Sequence, residues 1–233
     1  VYRYDLFTPF LTERTDTYLA AGAVEGCKTI MYSTTSTYIK SLFFTDKLLC
    51  QPDNSGTTNM RPLPDGYSLV NTCMDRDANK VYTLMRRDSD PAEYLIQTTT
   101  GSLQAFKDVT SFRSASLTMD KDSKFCTSLN SNDAYYSWNN RIYRWGFMSE
   151  PPQAPTITLD AGEEICCLAT NFMGSNADGT EETLLYVATW NPSLEGELKG
   201  SLYVYDIATD SLVKVYRHIC GRPLKLLYKY RIP

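Results

Sequence analysis

Long stretches of helically spaced apolar residues with helix caps are absent from these 233 residues, and short runs of alternating apolar and polar residues take their place. Such runs bury one side chain in two on each face of a pleated sheet, so the chain has to solve its hydrophobic problem by stacking sheets. The side chains suit stacked sheets, since 12% of the residues are aromatic, with 17 Tyr and 9 Phe, and Thr and Ser fill many positions between them. Candidate strands cover 29–33, 38–44, 68–73, 80–85, 93–98, 114–119, 125–129, 134–138, 141–147, 164–170, 183–190, 201–206, 211–216 and 224–230. Between them stand turn-forming clusters such as 75–79, 120–122, 139–140, 151–152, 174–179 and 207–210.

Two hairpins stand out. Tyr135-Tyr136-Ser137-Trp138 and Arg141-Ile142-Tyr143-Arg144-Trp145 flank Asn139-Asn140, and Asn tolerates the left-handed backbone that a two-residue type I′ turn requires. Leu202 to Asp206 and Leu212 to Tyr216 flank a four-residue turn with Asp at either side. A series of antiparallel hairpins without helical crossovers predicts an all-β sandwich, barrel or propeller. Tyr82, Tyr143 and Tyr203, each after an apolar residue, recur at intervals of 61 and 60 residues, and this weak repeat favours a β-propeller or part of one, built of antiparallel four-stranded blades. At that interval residues 1–233 form a single propeller domain of four or five blades, or the C-terminal portion of a longer propeller chain. The 224–230 run is expected to close the ring by pairing with the N-terminal blade.

Charge and residue counts narrow the function classes. Lys and Arg number 23 against 27 Asp and Glu, for a net charge of −4, and no basic stripe suggests a nucleic-acid partner. No run of 18 apolar residues offers a transmembrane segment, and Val1-Tyr2-Arg3-Tyr4-Asp5 lacks the features of a signal peptide, as expected of a trimmed chain. The seven cysteines, Cys27, Cys50, Cys73, Cys126, Cys166, Cys167 and Cys220, have irregular spacing and no C-x-x-C, which argues against a zinc site or redox pair, and Cys73, Cys126 and Cys166, inside apolar or β-branched stretches, are expected to be small buried apolar groups. His218 is the single histidine, which leaves multi-histidine metal sites and most histidine-centred triads without members. Asp75 to Asn79 has oxygens at alternate positions but Lys80 and Arg86 where a calcium loop needs Gly and Glu. No cofactor, no metal and no catalytic residue is expected.

Residues 200–216, Gly-Ser-Leu-Tyr-Val-Tyr-Asp through Val-Lys-Val-Tyr, followed by Gly221-Arg222-Pro223, resemble the C-terminal end of the PKD-like family of lipoproteins from Bacteroidetes, and Asp133 to Tyr143 looks like the preceding blade of that group. The resemblance spans about residues 66–231. It implies an extracytoplasmic, outer-membrane or cell-surface protein, lipid-anchored through a region not present here, that captures glycans or nutrients. The sequence departs from that family in having no lipobox.

The expected function is therefore a non-catalytic cell-surface binding or interaction protein, a monomer with a glycan or a surface protein as partner. The alternative is a glycoside hydrolase on a propeller scaffold, for which Glu163-Glu164 and Glu181-Glu182 are poor candidates because sequence neighbours diverge across a strand. Candidate ligand-binding residues are Trp138, Trp145 and Trp190, each at a strand end beside a turn or loop, where an indole can stack on a sugar face. Trp190 opens the 191–199 insertion, which is expected either to pack locally or to contribute to a recognition surface.

Overall fold

The computed structural model describes residues 3–5, 12–14, 29–34, 39–52, 58–74, 80–102, 105–113, 119–127, 133–146, 149–170 and 184–226. Every regular element among them is a strand. A short pair, β1 (Arg3–Asp5) and β2 (Thr12–Arg14), precedes four antiparallel sheets of four strands each, every strand paired with its neighbour in sequence. Sheet I holds β3 (Thr29–Thr34), β4 (Ile39–Phe44), β5 (Leu48–Pro52) and β6 (Thr58–Pro62). Sheet II holds β7 (Tyr67–Met74), β8 (Lys80–Arg87), β9 (Tyr94–Ser102) and β10 (Ala105–Arg113). Sheet III holds β11 (Phe125–Thr127), β12 (Asp133–Trp138), β13 (Arg141–Gly146) and β14 (Ile157–Thr158), and sheet IV holds β15 (Glu164–Thr170), β16 (Leu184–Trp190), β17 (Gly200–Asp206) and β18 (Ser211–Cys220).

The first strands of successive sheets adjoin, β7 against β11 and β11 against β15, which is how blades gather around an axis. The fold is all-β, a β-propeller or part of one made of four-stranded antiparallel blades. The strand period of two explains how one chain fills three successive cores. On β12, Ala134 and Tyr136 join Tyr82, Leu84 and Ile96 of sheet II, whereas Tyr135 faces Leu168, Leu185 and Val187 of sheet IV. On β8, Tyr82 and Leu84 turn to sheet III while Val81 and Met85 turn to Phe44 and Leu49 of sheet I. Aromatic rings lock the middle interface: Tyr82 meets Trp145 edge-on at 5.3 Å, and Tyr136 stacks on Tyr143 at 5.0 Å.

Several expectations are corrected in detail. The sheets begin at residues 29, 67, 125 and 164, so they recur after 38, 58 and 39 residues, not after a uniform 60. Tyr82 lies on the second strand of its sheet and Tyr143 and Tyr203 on the third, so the tyrosine repeat joined positions that are not equivalent. Of the 114–119 run only Met119 is described, and it is buried outside any strand. The chain at 224–226 forms no strand, with Leu224 90% exposed, and the remainder of the expected closing strand lies outside the described residues, as do 75–79 and 174–179. His218 falls inside β18, where three residues oppose Ser201 alone and the histidine takes a left-handed φ of 55° in the resulting bulge.

Both hairpins form as read. Trp138 pairs with Arg141 across Asn139 and Asn140, but only Asn139 is left-handed, at φ 54°, so the turn lacks the second positive φ of type I′. Asp206 pairs with Ser211, and its Oδ1 accepts from the Ala208 and Thr209 amides at 2.7 and 3.3 Å. Cys73, Cys126, Cys166, Cys167 and Cys220 are free thiols, of which Cys73 and Cys167 are buried.

Replacing Trp145 by Ala should lower the unfolding free energy by about 3–5 kcal/mol, because a fully buried ring between two sheets is lost. Leu198→Ser, at a side chain 55% exposed, should change it by no more than about 0.5 kcal/mol in the same denaturant titration.

Candidate functional site

The strands that start beside the axis leave a cleft of about 570 Å³ between sheets III and IV. Its floor and walls come from the 120–124 turn before β11, from Ser137 and Asn139 at the end of β12, from Glu164 to Cys166 opening β15, and from Arg222 to Leu224 after β18. That volume is within the range of small-ligand sites.

Local sequence sets each wall. The Asp122 amide donates to Asp120 Oδ1 at 2.9 Å and the Asp120 amide to Ser123 Oγ at 2.9 Å, an Asx-type turn that Tyr94 Oη of sheet II anchors by accepting from the Lys121 amide at 3.1 Å. Lys124 is fixed at the main chain, its amide donating to Ser137 Oγ and its carbonyl accepting from the Ser137 amide, both at 2.9 Å. On the opposite wall Gly200 matters because any side chain there would collide: an added Cβ would lie 2.3 Å from the Gly221 carbonyl and 2.6 Å from Cys220 Sγ. The close approach carries the chain round so that the Arg222 guanidinium sits 4.8 Å over the Trp190 ring and 3.5 Å from Glu164.

The charges of the cleft are unevenly compensated. Asp122 pairs with Lys121 at 2.7 Å and Glu164 with Arg222, whose side chains remain 50% and 60% exposed. The half-buried Lys124 has no ion-pair partner among the described residues. Burial pushes the Cys166 thiol up, against the opposing pull of Arg222 and Lys124, which favours the protonated thiol as a lining group. Glu163 and Glu164 diverge as expected: Glu163 is buried and accepts from the Thr189 hydroxyl and, at 3.4 Å, from Asn191 Nδ2, whereas Glu164 opens into the cleft.

The three tryptophans have different fates. Trp145 is fully buried, its Nε1 donating to the Ser149 carbonyl at 3.0 Å, so it is a core residue and offers no face to a ligand. Trp138 is half-buried, packed against the same core one residue before Asn139. Trp190 is half-buried beneath Arg222 and backs the cleft through it. The 191–199 insertion closes at its neck, the Asn191 amide donating to the Lys199 carbonyl at 3.1 Å, and Asn191 ties it to buried Glu163. Sequence reasoning missed Lys124, Asn139 and Arg222 as site residues; the Asp120-Lys121-Asp122 turn and the Gly221-Arg222-Pro223 link were the signals adjacent to them.

A second, shallower groove of about 350 Å³ lies between the outer parts of sheets III and IV. Arg217 donates to Asp160 Oδ2 at 2.8 Å and to Tyr203 Oη at 3.2 Å, and this holds the Asp160 carboxyl below its usual range. Burial raises the Tyr203 phenol to about 12. Nearby, Arg144 bridges the blades, donating to Asp133 at 2.6 Å and to the Ile207 carbonyl at 3.1 Å.

No protein-family model matches the sequence, and no curated protein matches it. A chain from a solved structure described as the crystal structure of the mitotic checkpoint complex superposes with a TM-score of 0.33 at 8% identity, over 88% of this chain and 90% of that one. A likeness at that level bears neither on activity nor on partners.

Gly200→Ala should cost about 1–3 kcal/mol in thermal or denaturant unfolding, since the nearest contact of the added methyl is the Gly221 backbone carbonyl, which cannot swing aside as a side-chain end can. A pH effect should accompany the Asp160–Arg217 pair. Because the folded carboxyl titrates below its unfolded value of about 3.9, its stabilisation is complete above that pH and disappears as the pH falls through the folded value. Arg217→Gln should therefore lower the melting temperature slightly at pH 7 and not at pH 2, the pair being exposed and screened.

Proposed function

We propose that this chain is a non-catalytic binding protein that holds a glycan in the cleft between sheets III and IV, at a cell surface or facing the periplasm. The observation that carries the reading is the lining itself: Asp120, Asp122, Asn139, Glu164 and Arg222 are planar polar groups suited to sugar hydroxyls, beside a half-buried indole. The resemblance of residues 200–223 to the C-terminal end of the PKD-like lipoproteins supports the surface location and the glycan class.

A glycoside hydrolase needs one carboxyl kept protonated in a dry pocket opposite a second one. Here Asp122 and Glu164 sit in exposed ion pairs and Asp120 is engaged by its own turn, which favours binding over hydrolysis. Incubation with an immobilised glycan panel, reading retention and soluble products together, should give retention with the glycans intact. Release of shortened saccharides would overturn the reading in favour of the hydrolase, and no retention on any glycan would leave the cleft without this role.

A further inference from the structure

Within the glycan-binding reading, on which this inference rests, we propose that the cleft selects saccharides bearing a carboxylate, the uronic acids, with Lys124 and Arg222 as the two groups that grip the acid. Three carboxylates and two cations line the cleft. Asp122 is already neutralised by Lys121, and Glu164 is met by Arg222 only loosely, at 3.5 Å. Lys124 is the lining cation with no ion pair among the described residues. Two hydrogen bonds to Ser137 fix its main chain at the cleft wall, and its long side chain can present the ammonium to an incoming anion.

Arg222 lies across the same cleft and is only partly satisfied. Its guanidinium lies 4.8 Å over the Trp190 ring, a contact that consumes none of its N–H donors, so it can turn donors toward a carboxylate in the fork geometry that guanidinium favours. The remaining lining discriminates among anions. Asp120 and Asp122 each keep one carboxylate oxygen outside the turn's contacts among the described residues, and these oxygens can only accept. A uronic acid brings one negative charge for the cations and several hydroxyl donors for those acceptors. A free phosphate or sulfate ion brings no such set of sugar hydroxyls for those acceptors, and its tetrahedral oxygens do not match the planar fork as a carboxylate does. The neighbouring Asn139, left-handed and exposed at the hairpin tip, adds an amide that serves either a hydroxyl or a carboxylate.

Titration calorimetry of the whole chain with trigalacturonic acid and with neutral galactotriose tests this. The acidic sugar should bind at least about tenfold tighter at low salt, the increment expected of one charge-assisted contact, and raised ionic strength should erode that difference. Lys124→Met should remove most of the preference while Lys124→Arg restores it, with melting temperatures showing that both variants fold. Arg222→Met should weaken the acidic sugar more than the neutral one. Equal affinity for the two trisaccharides, or a preference that Lys124→Met leaves intact, overturns the uronate assignment while the glycan-binding reading stands. Binding of a sulfated galactotriose as tightly as the uronate overturns the selectivity for carboxylate. If neither neutral nor acidic saccharide binds, both the assignment and the reading beneath it fall.

Discussion

Everything in this molecule depends on sheets that are buried on both faces. A strand such as β12 sends Tyr136 into the core shared with sheet II and Tyr135 into the core shared with sheet IV, and both rings are fully buried. A slip of one residue in its pairing would exchange the two cores' contents at once, so the register of Asp133 to Trp138 against Gly146 to Arg141 is fixed from two sides. Two-sided burial also has a cost. The Tyr135 hydroxyl and Asp210 Oδ1 are buried without a hydrogen-bond partner, and burial raises both groups above their ordinary titration range. Arg144 offsets part of this by joining Asp133 to the turn after β17.

The cleft is a by-product of that stacking. Blades gathered by their first strands fill the space between sheets with side chains, but beyond the strand ends only turns and links remain to cover it. The 120–124 turn from one side and the 222–224 link from the other leave room between them, and both are held by backbone hydrogen bonds or close approach rather than by apolar packing. Charged side chains therefore survive there without the desolvation that would force them to pair. The outer strand β18 shows the same economy at the opposite end of its blade: nearly every side chain is exposed, with Lys214 and Arg217 and a bulge guarding the edge.

How a thiol, a tryptophan or a carboxylate behaves in this chain follows from where it falls along a blade. Trp145 and Trp190 both end strands beside loops, yet one is sealed between sheets and the other underlies an arginine. Glu163 and Glu164 are neighbours, yet one is consumed in tying down the 191–199 insertion and the other borders open space. Alternation distributes such pairs between opposite environments, and a functional reading based on residue type alone cannot separate them.

The sequence by itself determined the strand class, the turns at 120–122, 139–140 and 207–210 and the two central hairpins, because these follow from local alternation and from residues such as Asn139 and Asp206 that act on their own backbone. It pointed to the propeller through a tyrosine repeat whose members proved inequivalent, since a Val-Tyr or Ile-Tyr pair fits the second strand of a blade as well as the third. Strands β5, β6, β10 and β14 carry too little alternation to stand out, and they exist because a neighbour supplies their hydrogen bonds. Which tryptophan is buried, and that Lys124 meets Arg222 across a cleft almost a hundred positions apart, only the tertiary structure decided. Those outcomes depend on which blade faces which, and that is settled by packing between residues distant in the chain.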